Sequence, residues 1–212
     1  MKRFNLYIID FDGTLIDSYN GLKTFYHQIF SHIGYPVTDE ECFKFTKMSL
    51  QEAFYLKTHS TDPELIQKFT DKCDAVVATR ELLKYNVSFK DTFPFINYIK
   101  DNNIPCVLVT GNVMHHIQMV YDNLGIPDFT IFNICSSDIK KQKPDPEGLL
   151  LALERFNYQG DKKDVCYIGD AYNDYLAAKA AGVTPIMIDR LNEFQDLDDA
   201  FIIYDLMELF KN

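Results

Sequence analysis

The chain has 212 residues, 47% of them hydrophobic, with 17 Phe, 13 Tyr and a formal net charge of −10 from 21 Lys+Arg against 31 Asp+Glu. Enough apolar material for a sizeable core excludes global disorder, and the charge argues against a nucleic-acid or anionic-membrane binder, because phosphate backbones need a positive face. No apolar run approaches the ~20 residues that span a bilayer, and the stretch up to Asp10 has no small-residue cleavage site, so a cytoplasmic protein is expected.

The first element is the apolar run Phe4–Ile9, a strand buried on both faces that ends abruptly at Asp10. Residues 18 to about 85 contain no convincing strand. A helix is expected over Ser18–Ile33, closed by Gly34, and the capping-box signals Thr38-x-x-Glu41, Ser49-x-x-Glu52 and Thr61-x-x-Glu64 open three more. The aromatic residues there, Phe25, Tyr26, Phe30, Phe43, Phe45, Phe54 and Tyr55, are expected to fill the core of a small bundle rather than a ring-stacking pocket.

Further strands are expected at Pro105–Val109, Phe129–Ile134 (a weaker signal), Val165–Ile168, Thr184–Ile188 and Phe201–Ile203. Helices fall between them. Thr92 and Pro94 open one that runs to about Lys100, and Asn112–Leu124 is another, closed by Gly125. Asp145 and Pro146 read as an N-cap and first helical residue of a third, and Asp174–Ala181 is stopped by Gly182. The alternation implies a doubly wound parallel α/β sheet, a Rossmann-like core of residues 1–17 and 86–212, with an inserted all-helical domain at 18–85. Such an insert would form a lid over whatever the first strand presents. The five cysteines are odd in number and hold no Cys-x-x-Cys pair, so buried thiols in a reducing compartment are expected.

Four strand-end clusters carry chemistry. Asp10-Phe11-Asp12-Gly13-Thr14 puts two carboxylates at a strand end, in the crevice where open α/β sheets bind ligands. Acids that close repel and call for a cation. Taken alone, Asp-x-Asp-Gly is more often a solvated acidic turn; a calcium loop fails for want of further oxygen ligands and a closing Glu. Gly169-Asp170 with Asp174 is a second Gly/Asp strand end, where helix-start acids favouring the macrodipole are the simpler account of Asp174. Thr110-Gly111-Asn112 combines a hydroxyl, a glycine and a helix start, either a phosphate seat or ordinary capping. Lys143, before Pro144-Asp145-Pro146, sits on stiff backbone, where a Lys can neutralise a phosphate oxygen or simply face solvent.

Together the four fall in an order that sets them along the C-terminal edge of one sheet, which is a metal-assisted phosphoryl-transfer arrangement. Two unit charges 4 Å apart oppose each other by about 4 kcal/mol at an effective dielectric near 20. A carboxylate nucleophile meeting a dianionic phosphate therefore needs the help of a divalent cation and a Lys.

These motifs, in this order and over essentially the whole chain, resemble the haloacid dehalogenase-like hydrolase superfamily. The helical insert resembles the class I cap of its phosphoglycolate phosphatase and β-phosphoglucomutase branch. The resemblance implies that Asp10 is the nucleophile, forming an aspartyl-phosphate, and that Asp12 protonates the leaving oxygen and then activates water. It implies Mg2+ held by Asp10, the Asp12 carbonyl and Asp170, with Asp174 in support, and a phosphate held by Thr110, Gly111, Asn112 and Lys143. The expected protein is a Mg2+-dependent phosphatase of a small phosphorylated metabolite, a monomer or weak dimer. The alternatives are a sugar-phosphate mutase or phosphotransferase, and a non-catalytic regulatory protein that binds metal and phosphate.

Three departures refine this. Mutases of the class place a His where this chain has Leu22, with His27 further along the same helix. The loop Phe45-Thr46-Lys47-Met48-Ser49 lacks the Gly that many relatives carry near its start, and its cation, Lys47, is expected to meet the substrate's non-phosphate end. Dehalogenases lack the Asp12 equivalent, so its presence favours phosphate esters.

Overall fold

The computed structural model describes residues 2–192, 194 and 197–211. The strands in chain order are β1 (Leu6–Ile9), β2 (Ile16–Asp17), β3 (Val87–Ser88), β4 (Cys106–Val109), β5 (Asn133–Ile134), β6 (Val165–Gly169), β7 (Thr184–Ile188) and β8 (Phe201–Ile203). Six of them form one sheet in the order β5-β4-β1-β6-β7-β8, every pairing parallel. The chain builds from β1 outward to β5, then returns to add β6 on the other side. The order reverses beside β1, and a parallel sheet opens a crevice beyond its carboxyl ends at such a point. Ile9 is level with Leu108 of β4 and Ile168 of β6, so the residues leaving these three strands emerge side by side.

The helices are α1 (Tyr19–His32), α2 (Asp39–Phe45), α3 (Leu50–Thr58), α4 (Pro63–Ala78), α5 (Thr92–Asp101), α6 (Met114–Leu124), α7 (Glu147–Arg155) and α8 (Tyr172–Ala181). All residues of β1, β4 and β6 are buried, which is why their sequences are unbroken apolar runs. Leu6, Ile8, Val107, Val109, Val165 and Tyr167 face one way, packed on Leu149 and Ala152 of α7 and on Ala177 and Ala178 of α8. The alternate residues face the opposite layer, where Tyr7 meets Phe210, and Phe210 stacks on Phe95 of α5. A sheet covered on both faces is the doubly wound architecture that the alternation implied.

The chain divides into two compact units, Met1–Asp17 with Ser88–Asn212, and Ser18–Val87. The short strands β2 and β3 form a separate two-stranded sheet. The second unit consists of α1 to α4 and a 3-10 turn at Glu81–Tyr85. Its core follows from helical spacing: Phe25, Ile29 and Ile33 share a stripe of α1 with Tyr26 and Phe30, and they pack with Phe45, Phe54 and Phe69. Phe30 and Phe69 have ring centroids 5.2 Å apart, and Phe54 and Phe69 4.8 Å. Leu22 packs against this cluster.

Several expected boundaries shift. The capping boxes at Thr38 and Ser49 form in full. At the third site Asp62, not Thr61, is the N-cap, because Pro63 takes the first helical position and Asp62 Oδ1 accepts from the Glu64 amide at 3.1 Å. Tyr55 is 56% exposed and lies outside the bundle core, and Phe43 is only partly buried, edge-on to Tyr19. The α6 helix begins at Met114 with Val113 as its cap, two residues after Asn112. Pro146 is the cap of α7 rather than its first residue; Asp145 still accepts from the Glu147 amide at 3.0 Å. The stretch Phe129–Ile134 contributes only Asn133–Ile134 to the sheet, and Ile131 is exposed. All five cysteines are buried thiols without a disulfide, and among the described residues no helix is long and apolar enough to cross a membrane.

Candidate active site

Asp10 follows β1 directly, and its amide donates to the Ile168 carbonyl of β6 at 2.9 Å, so it continues the sheet ladder for one residue. Its side chain then enters the crevice, while Phe11 turns into the core against Tyr121 and Asp12 emerges beyond it. A tight turn follows: the amides of Leu15 and Ile16 both donate to the Phe11 carbonyl, at 2.9 and 3.1 Å. Gly13 in this turn has φ +71°, and a Cβ there would lie 2.2 Å from Asp170 Oδ2. Only glycine permits both the backbone angle and the approach of Asp170. Thr14, fully buried, donates from Oγ1 to Asp170 Oδ1 at 3.3 Å.

Lys143 reaches the same crevice from the segment before α7. Its ammonium donates to Asp10 Oδ2 at 2.7 Å, to Asp174 Oδ1 at 2.6 Å and to the Tyr167 hydroxyl at 3.1 Å. Asp174 is fully buried in the first turn of α8. It also accepts from the Tyr167 hydroxyl at 2.9 Å and from the Ala171 amide at 2.9 Å. The capping role that sequence suggests for Asp174 and its contact with Lys143 therefore coexist on one carboxylate. Gly169 makes room for it: a Cβ there would lie 2.4 Å from Asp174 Cγ.

Carboxylate oxygens of Asp10, Asp170 and Asp174 all lie within 4.8 Å of one another. Burial, opposed by Lys143 and reinforced by Asp174 and Asp170, pushes the Asp10 carboxyl up to about 8. Burial works against the Lys143 charge, yet Asp10 and Asp174 outweigh it and hold the ammonium well above its ordinary range. Burial and then the same two carboxylates keep the Tyr167 hydroxyl protonated. The cluster thus has more negative charge than one ammonium balances, and a divalent cation would return Asp10 to its ionised form. Oxygen-only donors suit a hard cation that keeps part of its water shell. Both oxygens of Asp174 are engaged by Lys143, Tyr167 and the Ala171 amide, which fits a supporting place better than a ligand's.

Thr110 and Asn112 lie on the β4 side. Thr110 is buried, and its Oγ1 accepts from the Asn112 amide at 3.2 Å. The Asn112 side-chain amide donates to Asp12 Oδ2. The motif is therefore an Asn turn two residues ahead of the α6 start, not the first turn of the helix. Gly111 is exposed, and a Cβ there would meet only Gln142 Oε1 at 3.5 Å. The structure brings Asp10, Asp170, Asp174 and Lys143 into one cluster, and it pairs Asp12, two residues on from Asp10, with Asn112. Lys47 belongs to the other unit, where its ammonium lies 5.8 Å from the Phe43 ring centroid.

Tyr167 escaped the sequence reading, because inside an apolar strand it reads as one more core residue. A buried tyrosine in an otherwise aliphatic run still needs a partner for its hydroxyl, and that is the signal that would have found it.

A profile for haloacid dehalogenase-like hydrolases matches residues 7–188. The "Pyrophosphatase PpaX" of Oceanobacillus iheyensis is 21% identical over 95% of this chain and 93% of its own length. A "Phosphoglycolate phosphatase" of Yersinia pseudotuberculosis is 24% identical over 82% of this chain and 75% of its own. Among solved structures, one described as a haloacid dehalogenase-like hydrolase from Bacteroides fragilis superposes with a TM-score of 0.87 at 29% identity, covering 98% of this chain and 100% of that one.

Proposed function

From the premise that this chain belongs to the haloacid dehalogenase-like hydrolase family, we propose that it is a Mg2+-dependent phosphatase that hydrolyses a small phosphorylated metabolite through an aspartyl-phosphate on Asp10. The observation that carries this is the Asp10 carboxylate, buried at a central strand end, held by Lys143 at 2.7 Å and clustered with Asp170 and Asp174.

Bound among Asp10, Asp170 and the Asp12 carbonyl, Mg2+ would supply charge neutralisation at the phosphoryl oxygens. The remaining work falls to this chain's side chains. Lys143, the Gly111 amide and the side chains of Thr110 and Asn112 hold the phosphate. Asp10 attacks phosphorus; the bond to the ester oxygen breaks as Asp12 gives that oxygen its proton. Asp12, now ionised, takes a proton from water, whose oxygen attacks phosphorus and breaks the bond to Asp10. Phosphate leaves and both carboxyls return to their starting states. The Asn112 side chain at Asp12 Oδ2 orients that carboxyl and leaves its other oxygen for the proton.

Relatives named as a pyrophosphatase and as a phosphoglycolate phosphatase support release of phosphate from a small molecule, and they differ in which one. Leu22, packed in the helical core where the mutases of the class place a His, supports hydrolysis over phosphotransfer to a sugar. Turnover of an aryl phosphate with Mg2+, compared with EDTA and with Asp10→Asn, tests the proposal. The wild type should be active only with the metal, and Asp10→Asn should be folded and inactive. Near-normal activity in that variant would sink the covalent mechanism.

A further inference from the structure

Arg190, the second residue past β7, makes a set of contacts that the chemistry above does not use. Its Nη2 donates to the Thr14 carbonyl at 2.7 Å and its Nη1 to Asp91 Oδ2 at 2.8 Å. The guanidinium lies over the Phe89 ring, 4.0 Å from the centroid. Asp91 Oδ2 accepts in addition from the Leu206 amide at 2.6 Å. Thr92 beside it donates from Oγ1 to the Leu15 carbonyl at 2.7 Å. One cation therefore joins the turn after Asp10 to the segment just past β3 and, through Asp91, to the C-terminal 3-10 turn at Leu206–Phe210.

The pair is not arranged for maximal stability. Its side chains are 11% and 1% exposed, and Asp91 Oδ1 and Arg190 Nε are buried with no hydrogen-bond partner among the described residues. A buried ion pair with unsatisfied atoms is weak evidence for a stability device. What its geometry does secure is the Thr14 carbonyl. Thr14 is the residue whose hydroxyl reaches Asp170, and the turn that carries it is the direct continuation of Asp10 to Asp12.

We propose that Arg190 is a positioning residue for the reaction: by gripping the Thr14 carbonyl against Asp91 and Phe89, it fixes the turn that sets Asp10, Asp12 and Asp170 in mutual register. This rests on the phosphatase reading for its consequence and on hydrogen bonds alone for its cause, so the two are tested apart. A guanidinium spans two acceptors in a fixed fork, and an ammonium does not. Arg190→Lys keeps the charge and loses the fork; Arg190→Met loses both.

The experiment measures aryl phosphate turnover with Mg2+ and, on the same preparations, amide hydrogen exchange followed by peptide. Both variants should show faster exchange in the peptide covering residues 13–17, with β6 and α7 unchanged. Both should lose about 10- to 10²-fold in kcat, the scale of a misplaced catalytic group, with KM unchanged, as expected when only transition-state alignment suffers. Unchanged exchange in that peptide overturns the proposal, whatever the activity. Faster exchange with full kcat overturns it as well, since the grip would then serve no reaction. Wild-type protein that is inactive with metal refutes the phosphatase reading instead, and the exchange comparison still decides whether Arg190 holds the turn.

Discussion

Replacing Lys143 by Met separates the electrostatics of the site from its chemistry. The ammonium is held between Asp10 and Asp174 at 2.7 and 2.6 Å, with side-chain exposures of 18%, 10% and 0% for Lys143, Asp10 and Asp174. Lys143→Met keeps most of the apolar stem and leaves Asp174 without its countercharge in a buried crevice, where Asp10, pushed up to about 8 by burial, holds its proton. Breaking one buried pair in this way costs about 3–5 kcal/mol. For a domain of this size each kcal/mol moves Tm by about 2–4 °C, so metal-free Lys143→Met should melt about 6–20 °C below the wild type. Excess Mg2+ restores positive charge beside Asp10 and should return part of that loss, more than it adds to the wild type. The double variant Lys143→Met with Asp174→Asn should lose less than the sum of the singles, because the contacting groups share one interaction. The assay is thermal unfolding followed by far-UV circular dichroism, in EDTA and in Mg2+. A metal-free Lys143→Met that melts with the wild type would mean that the ammonium is not the countercharge of this cluster, and the charge argument for the site would fail.

Asp12→Asn should retain the fold and lose about 10²–10⁴-fold in turnover, the usual worth of a general acid and base; phosphoenzyme detected by acid quench would place the defect in its second half-reaction, and full activity would remove Asp12 from proton transfer. Gly169→Ala forces the Asp174 carboxyl from its place and should cost about 1–3 kcal/mol together with activity. Gly111→Ala, with only a 3.5 Å contact to Gln142, should stay within about 0.5 kcal/mol, and equal melting losses in the two would contradict the stated close approach. Metal-free stability should also depend on pH through Asp10. Its carboxyl is pushed up to about 8 in the folded state, chiefly by burial, against about 3.9 in an unfolded chain. Between those values the folded state holds the extra proton, so the stability that Asp10 contributes is full below about pH 4 and lost as pH rises to about 8. The Tm of the wild type should therefore fall relative to that of Asp10→Asn as pH rises from 5 to 8 in EDTA, and a pH-independent difference would refute it.

The sheet was legible because its central strands are buried on both faces, and nothing competes with an unbroken run such as Val165–Ile168. The edge strand β5 was legible only in part: the regular strand is just Asn133–Ile134, and Ile131 and Phe132 ahead of it are tied to β4 by single backbone hydrogen bonds. The α4 start moved by one residue, where the capping residues Thr61 and Asp62 adjoin. There proline decides: Pro63 can occupy only the first turn, which makes the residue before it the cap. The pairing of β2 with β3 was beyond reach, because two-residue strands carry no periodicity.

In the site, legibility followed charge. Acids at strand ends stand out against apolar runs, and their sequence order fixed which edge they share. Groups that hold those acids in place have no such contrast. Lys143 was found by its position before Pro144, yet nothing in its neighbours says that it bridges Asp10 to Asp174, a link spanning 31 residues on one side and 133 on the other. Tyr167 and Arg190 are further from notice: one sits inside an apolar strand, and the other follows the apolar run Thr184–Ile188 by two residues. Their partners are set by the order β4-β1-β6-β7, which puts the exits of distant strands next to one another. A carboxylate cluster can be read as a demand for positive charge. Which side chain meets that demand is decided by topology, and so the supporting residues appear only once the strand order is known.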